Sequence, residues 1–342
     1  MGYFILLIMS KITHIYKYFT INEYFYSSMI NNEIFFADSR YFNDPFDSRP
    51  IFSYNTDKVN VKSLYASIQS IVNSFEDKIK DIPGFKEKKL EYDPQYKSLL
   101  SLSVEKNRYI NFNKLSNDDR LIWLYIFYNS TDFIDSLVEL NLNLIQRFFF
   151  DDLIFLLVDL KGTGVTCGSL KPNCPVMWGH YGNNHTGVCL HFQVLEDGNE
   201  VLSYKSEVDF MVDKVIYSDQ PINLYESRNI KFNDIEKKLL HTKSSKWEYE
   251  NEIRLTAPKQ GTLKFKKTAL KSVIFGAKSS DKNRYSVCKL LACLGYKFEM
   301  QVARLQTDKY DMKIDKMVLQ DILGSNTYIE ELGIEDAVKG LI

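Results

Sequence analysis

Residues 187–193 read G-V-C-L-H-F-Q, and this stretch decides the fold class. Val188, Leu190 and Phe192 recur at every second residue, the spacing of a strand that lays one apolar face on a core. Similar β-prone runs occupy 164–169, 213–217, 251–256, 261–266, 271–275 and 296–303. Residues 231–243 and 280–294 are instead amphipathic at helical spacing, the second closed by Gly295 as a C-cap. Upstream, 20–30 places Ile21, Tyr24, Phe25 and Met29 on one side, with Thr20 as N-cap and Glu23 at the capping-box position. A short strand follows at 33–37. Strands and helices mix without βαβ regularity, so the expectation is an α+β fold built on a small mixed or antiparallel sheet core.

The middle of the chain differs. Residues 58–80 and 96–107 carry helical patterns, and 116–129 and 131–149 open on Ser-Asn-Asp and Thr-Asp cap signals. The organisation expected is a single α+β domain over 1–342, with a large helical insertion at 58–160 and a C-terminal helical tail at 305–342. The 342 residues hold 43 Lys and Arg against 44 Asp and Glu, a net charge of −1, with 45% hydrophobic residues. Such a chain is neither disordered nor a gross binder of nucleic acid or anionic membrane. The apolar run at 3–9 is far shorter than the roughly 20 residues of a membrane span. It lacks the basic flank and cleavage site of a secretory signal, and a buried strand in a cytoplasmic protein is expected. Five cysteines without framework spacing read as reduced thiols. Cys167, Cys174, His180 and His185 contain no Cys-x-x-Cys pair, so no metal is expected there.

Three segments combine aromatic bulk with close polar groups: S-R-Y-F-N-D-P-F-D at 39–47, P-V-M-W-G-H-Y-G-N-N-H-T-G-V-C-L-H-F at 175–192, and K-S-S-K-W-E-Y-E-N-E-I-R-L at 243–255. A site that binds a planar ring and handles charge needs both ingredients. In the third segment, a strand over 251–255 would put Glu250, Glu252 and Arg254 on one face. That row reads either as a solvated Glu–Arg face or as a catalytic Glu oriented by Arg254, with Trp247 and Tyr249 beside it. In the second, Trp178 and Tyr181 fall three apart on a short helix. Met177 and Trp178 suit core packing, whereas His180, Tyr181 and His185 suggest a site wall; His191 is expected to face solvent. In the first, Asn43, Asp44 and Asp47 either bond their own backbone or close a pocket wall with Arg40.

These segments, with Tyr16-Lys17-Tyr18 ahead of them, resemble the bacterial family known as domain of unknown function 2971, over about residues 14–280 apart from the helical stretch. The family implies no reaction. Its members' setting beside mobile or defence loci suggests a toxin or anti-phage effector. The order of features is also similar to that of ADP-ribosyltransferases. That similarity implies an NAD-using transferase in which nicotinamide stacks on aromatics. Lys17 or Arg40 would hold the pyrophosphate, and Glu250 or Glu252 would bond the ribose, with His180 close by. Tyr18, Asn43, Asp44, Trp178, Tyr181, His185, Lys243, Trp247 and Arg254 complete the expected binding set. The partners expected are a nucleotide or dinucleotide and a macromolecular acceptor, with no membrane. A metal-dependent nuclease using Asp44, Asp47, Glu250 and Glu252, with Lys243 or Lys246 at the phosphate, is the enzyme alternative. A non-catalytic nucleotide-binding module is the other. No serine elbow, P-loop, G-x-G-x-x-G loop or zinc-protease motif is present.

Overall fold

The computed structural model describes residues 14–44, 46–48, 52–53, 61–92, 115–129, 153–193, 211–220, 222–223 and 231–317. The strand expected at 3–9 and the helices expected at 96–107 and 131–149 lie outside them. The chain divides into two compact units. The first is drawn from Met1–Tyr41, Gly164–Tyr217 and Ser244–Ile342, the second from Phe42–Thr163 and Ser218–Lys243.

The first unit is α+β. Its strands are β1 (His14–Phe19), β2 (Glu33–Phe36), β3 (Gly164–Ser169), β4 (Val188–Gln193), β5 (Met211–Lys214), β6 (Ile216–Tyr217), β7 (Glu252–Ala257), β8 (Gly261–Lys264), β9 (Leu270–Phe275), β10 (Glu299–Leu305) and β11 (Met312–Lys316). Eight of them form one sheet in the order β11-β10-β9-β4-β1-β3-β7-β5. Only β9 and β10 run parallel in it. The sheet is larger than the small core expected, because β5 and β11 extend both edges. β11 falls where a helical tail was expected. Met312 and Ile314 alternate and pack inward, and a period of two makes a strand. The remainder of that tail, 318–342, lies outside the described residues.

Side chains alternate across the sheet as the sequence requires. Ile15, Leu190, Phe192, Ile253, Leu255, Val273 and Phe275 join one core with Phe25 and Met29 of the helix Glu23–Asn31, and with Val287 and Leu291 of the helix Asp281–Cys293. Each such side chain contributes roughly 1.5–3 kcal/mol by leaving water. A second cluster gathers Trp178, Cys189, Ile274, Ala303 and Met312 with Tyr16 and Tyr18. The Glu23–Asn31 helix is capped by Asn22, whose Oδ1 accepts from Phe25 N at 3.1 Å, and not by Thr20. Glu23 therefore opens the helix, where a carboxylate meets the positive end of its dipole.

One junction in the sheet is thin. β1 pairs with β4 from His14↔Gln193 to Phe19↔Val188, but meets β3 at the single rung Tyr16↔Ser169. Past that rung Lys17 Nζ reaches across to β3, donating to Thr166 Oγ1 at 2.8 Å and to the Cys167 carbonyl at 2.9 Å.

The second unit is helical, with Val61–Ser74, Glu76–Lys80, Asn117–Tyr128, Phe232–His241 and residues 153–161. Ser116 caps the Asn117–Tyr128 helix by accepting from Asp119 N at 3.1 Å. Residues 121–128 of that helix are buried all round, including Trp123 stacked on Phe127 at 5.2 Å. Among the described residues, no helix is long and apolar enough to cross a membrane.

Candidate functional site

The 3-10 turn Ser245–Glu250 leads directly into β7. Ser244 caps it, and Asn251 ends it in the left-handed region at φ 44°. Asparagine tolerates that region because its short amide can bond locally; here Nδ2 donates to the Tyr249 carbonyl at 3.2 Å. This one residue sets Glu250 apart from the strand. The row of Glu250, Glu252 and Arg254 expected on one face is therefore reduced to Glu252 and Arg254.

That pair is not a solvated face. Glu252 is 4% exposed and Arg254 0%. Arg254 Nε donates to Glu252 Oε1 at 2.7 Å and Nη2 to Oε2 at 3.2 Å, so the planar fork matches the carboxylate at two points. The cross-strand neighbours on the same face are Ser169 and Cys167 of β3. The Tyr217 hydroxyl accepts from Glu252 N at 2.7 Å. Burial, followed by the Glu252 charge, pushes the Cys167 thiol well above its usual range. Burial also lowers the Lys17 pKa, against the opposing pull of Cys167 and Glu252. Arg254 and Glu252 thus tie down β7 and are not poised towards solvent.

Glu250 sits differently. It is 2% exposed, and it is bonded to one member of a group of half-exposed and exposed rings. Tyr181 donates its hydroxyl proton to Glu250 Oε1 at 2.8 Å. Tyr181 follows the short helix Pro175–His180, which begins on proline, where the missing N–H costs nothing. The exposed His180 ring stands edge-on to Tyr181, Trp247 and Tyr249 at 6.1, 6.4 and 6.2 Å. Trp247 and Tyr249 lie 6.0 Å apart, tilted by 39°. Ser169 Oγ donates to the Glu250 carbonyl at 2.6 Å and pins the turn to β3. The arrangement sets a cluster of rings beside a buried carboxylate that one of them, Tyr181, bonds.

The other expected residues stand elsewhere. Trp178 is core: it is fully buried, its Nε1 donates to the Pro172 carbonyl at 2.7 Å, and Tyr18 meets it edge-on at 5.1 Å. The Tyr18 hydroxyl donates to the Lys171 carbonyl at 3.1 Å. Burial, then nearby Cys189 and Cys174, raises its pKa. His185 closes three consecutive left-handed residues, Asn183, Asn184 and His185. Its N–H donates to the Trp178 carbonyl and its own carbonyl accepts from Lys278 N, at 3.1 and 2.9 Å. Burial and Lys278 lower its pKa. The Arg40 guanidinium is bonded to Asp38 at 2.9 and 3.0 Å. Lys17 is bonded to β3. Asn43, Asp44 and Lys243 belong to the second unit. There Asp44 Oδ1 accepts from Phe46 N at 2.9 Å, and the buried Lys243 pairs with Asp47 at 3.6 Å.

Ser169 and Tyr217 stand here without having been singled out from the sequence, and Cys167 was weighed there only as a metal ligand. Both of the strands that carry them were legible, but strand pairing, which sets them beside Glu250 and Glu252, was not. Among the described residues, no three His, Cys, Asp or Glu side chains gather to hold a metal ion.

Residues 177–255 match the model of a family described as protein of unknown function (DUF2971). Over that segment the chain is similar to the family. The DUF2971 segment runs from the short helix through β4 to β7, so it contains His180, Tyr181, Trp247, Tyr249, Glu250, Glu252 and Arg254. It excludes β1, the 42–47 loop and β9 to β11. No curated protein and no solved structure matches the chain.

Proposed function

We propose that this protein is a cytoplasmic transferase, ADP-ribosyltransferase-like in fold, that binds NAD and passes its ADP-ribose to a macromolecular acceptor. The observation that supports this most is the Tyr181–Glu250 bond, with His180 edge-on to Tyr181 and to Trp247. In this reading the nicotinamide ring packs against Trp247 and Tyr249, and a ribose hydroxyl takes over the donor role of Tyr181 at Glu250. The C1′–N bond breaks with its electron pair passing to the nicotinamide nitrogen, and the Glu250 charge steadies the oxocarbenium-like ribose. The acceptor's nucleophile then bonds C1′ and yields its proton to His180. Glu252 acts only by holding Arg254 and β7.

The test is nicotinamide release from NAD by the purified chain. Glu250→Gln is expected to lower release about 100-fold or more, the scale of losing one preorganised electrostatic group. Trp247→Ala should mainly raise KM. In cells, a toxin or anti-phage effector of this type would slow growth, and Glu250→Gln would relieve it. Absence of both NAD binding and nicotinamide release would overturn the reading. A second reading, a nucleotide-binding module without turnover, is favoured by one observation: Glu250 is only 2% exposed. Tight NAD binding with no nicotinamide released would select it. The metal-nuclease reading gains no support, because Glu252 and Asp47 are committed to Arg254 and Lys243.

A further inference from the structure

The second unit holds a groove of about 660 Å³, within the volume range of small-molecule sites. It is lined by the end of the Val61–Ser74 helix, the short Glu76–Lys80 helix, Lys161 and the start of the Phe232–His241 helix. Its floor is the buried pair Phe75 and Phe232, edge-to-face at 4.8 Å. Lys78, Lys161 and Lys231 ring it, with Asp77 the one acid in the lining.

Lys161 is held in place. Glu236, 2% exposed, accepts from Lys161 Nζ on one oxygen and from the Thr163 hydroxyl, at 2.7 Å, on the other. A buried carboxylate satisfied in this way fixes the ammonium, which lies 5.7 Å from the Phe232 ring centre. An ammonium has three donors, so bonding Glu236 leaves two for something else. Glu236 offsets the Lys161 charge, and Asp77 offsets one of the other two lysines. One positive charge remains over an aromatic floor. Lys78 and Lys231 are exposed and enter no ion pair among the described residues. The Phe232–His241 helix adds a first turn with no side-chain cap at Lys231.

We propose that this groove is a binding site for a mononucleotide. Its phosphates would meet Lys78, Lys231 and Lys161, and its base would rest against the Phe75–Phe232 floor. The site is separate from the aromatic shell around Glu250 and does not depend on that reading.

Isothermal titration of the full chain with ATP, AMP, adenosine and tripolyphosphate tests it. ATP and AMP are expected to bind, tripolyphosphate to bind more weakly, and adenosine to fail. Adding salt should weaken ATP binding, since the contacts are exposed charges. Lys78→Glu with Lys231→Glu should lower ATP affinity about tenfold or more, as expected for lost charge-assisted bonds. Both positions are exposed, and an unchanged melting temperature would show the fold intact. Trp247→Ala, which alters the other shell, should leave ATP binding in place. The proposal falls if no phosphate compound binds, if charge reversal changes nothing, or if Trp247→Ala abolishes the binding. It also falls if an oligonucleotide binds while ATP does not.

Discussion

Lys243 and Arg254 stand eleven positions apart in one sequence block, yet each serves a different unit. Lys243 is buried in the helical unit, 3.6 Å from Asp47. Arg254 is buried in the sheet unit and grips Glu252 at 2.7 and 3.2 Å. The two pairs use the same charges with different geometry. Guanidinium is a planar fork that satisfies both carboxylate oxygens, whereas an ammonium is a point charge that engages them singly. The tighter grip sits on a strand that must be held in register. The looser one closes a loop. The block at 243–255 is therefore two anchors with the aromatic turn between them, and Glu250 in that turn is bonded to Tyr181.

Cutting the tighter anchor should have the largest effect. Arg254→Ala leaves Glu252 buried without its cation, and is expected to cost about 3–5 kcal/mol of stability by chemical denaturation. Replacing both partners, Glu252→Met with Arg254→Met, should recover most of that loss, because a well-packed apolar pair carries no desolvation penalty. Lys243→Ala should cost less, about 3 kcal/mol, since the ion pair is longer. If Lys243→Ala proved the more damaging, the contrast between the anchors would be wrong. Between them, Tyr181→Phe removes one hydrogen bond from Glu250. About 1–2 kcal/mol of stability is expected to go, together with a change in nicotinamide release that the anchors themselves would not produce.

The smallest effect concerns pH and a residue far from either anchor. His191 was expected to face solvent. It is half-buried, stacked on Tyr16 at 4.7 Å and bonded to His14 and Ser272 at 2.8 and 3.2 Å. Burial first, then His14 and Lys271, lowers its pKa from 6.5 to about 4, against a weaker pull from Glu299. The unfolded chain therefore takes up a proton that the folded chain resists. Its contribution is fully present above pH 6.5 and is lost as the pH falls towards 4. Solvent screening limits the loss to about 1 kcal/mol. A melting-temperature profile that flattens in His191→Asn over this window would confirm it, and an unchanged profile would refute it.

The sequence located β4 by its alternation, and β3, β7 and β9 as β-prone runs. It located the Asp281–Cys293 helix from its apolar face and its glycine stop. What it missed depends on partners distant in sequence. Nothing local says that Arg254 lies opposite Cys167 or that Tyr217 meets the Glu252 amide. Local chemistry also misled at Glu250, where one left-handed asparagine broke the alternation a strand would have kept. Trp178 looked like a site residue because it sits among His and Tyr. Its burial follows from Cys189, Ile274 and Met312, which arrive from three other strands.

Lys17 was expected to hold a pyrophosphate, and its true place has another consequence. A sheet whose two leaves share one rung carries a pair of inner edges; on β3 Ala37 already bridges Val165, and what stays uncovered is a template for further pairing. The ammonium of Lys17 occupies one of those edges at the Cys167 carbonyl, as a wedge. With Lys17→Val the wedge is gone while strand propensity rises. The leaves would then be left to zip together, or to recruit a strand from a neighbouring molecule. On that account the lysine guards the chain's solubility, and its loss would show first as aggregation.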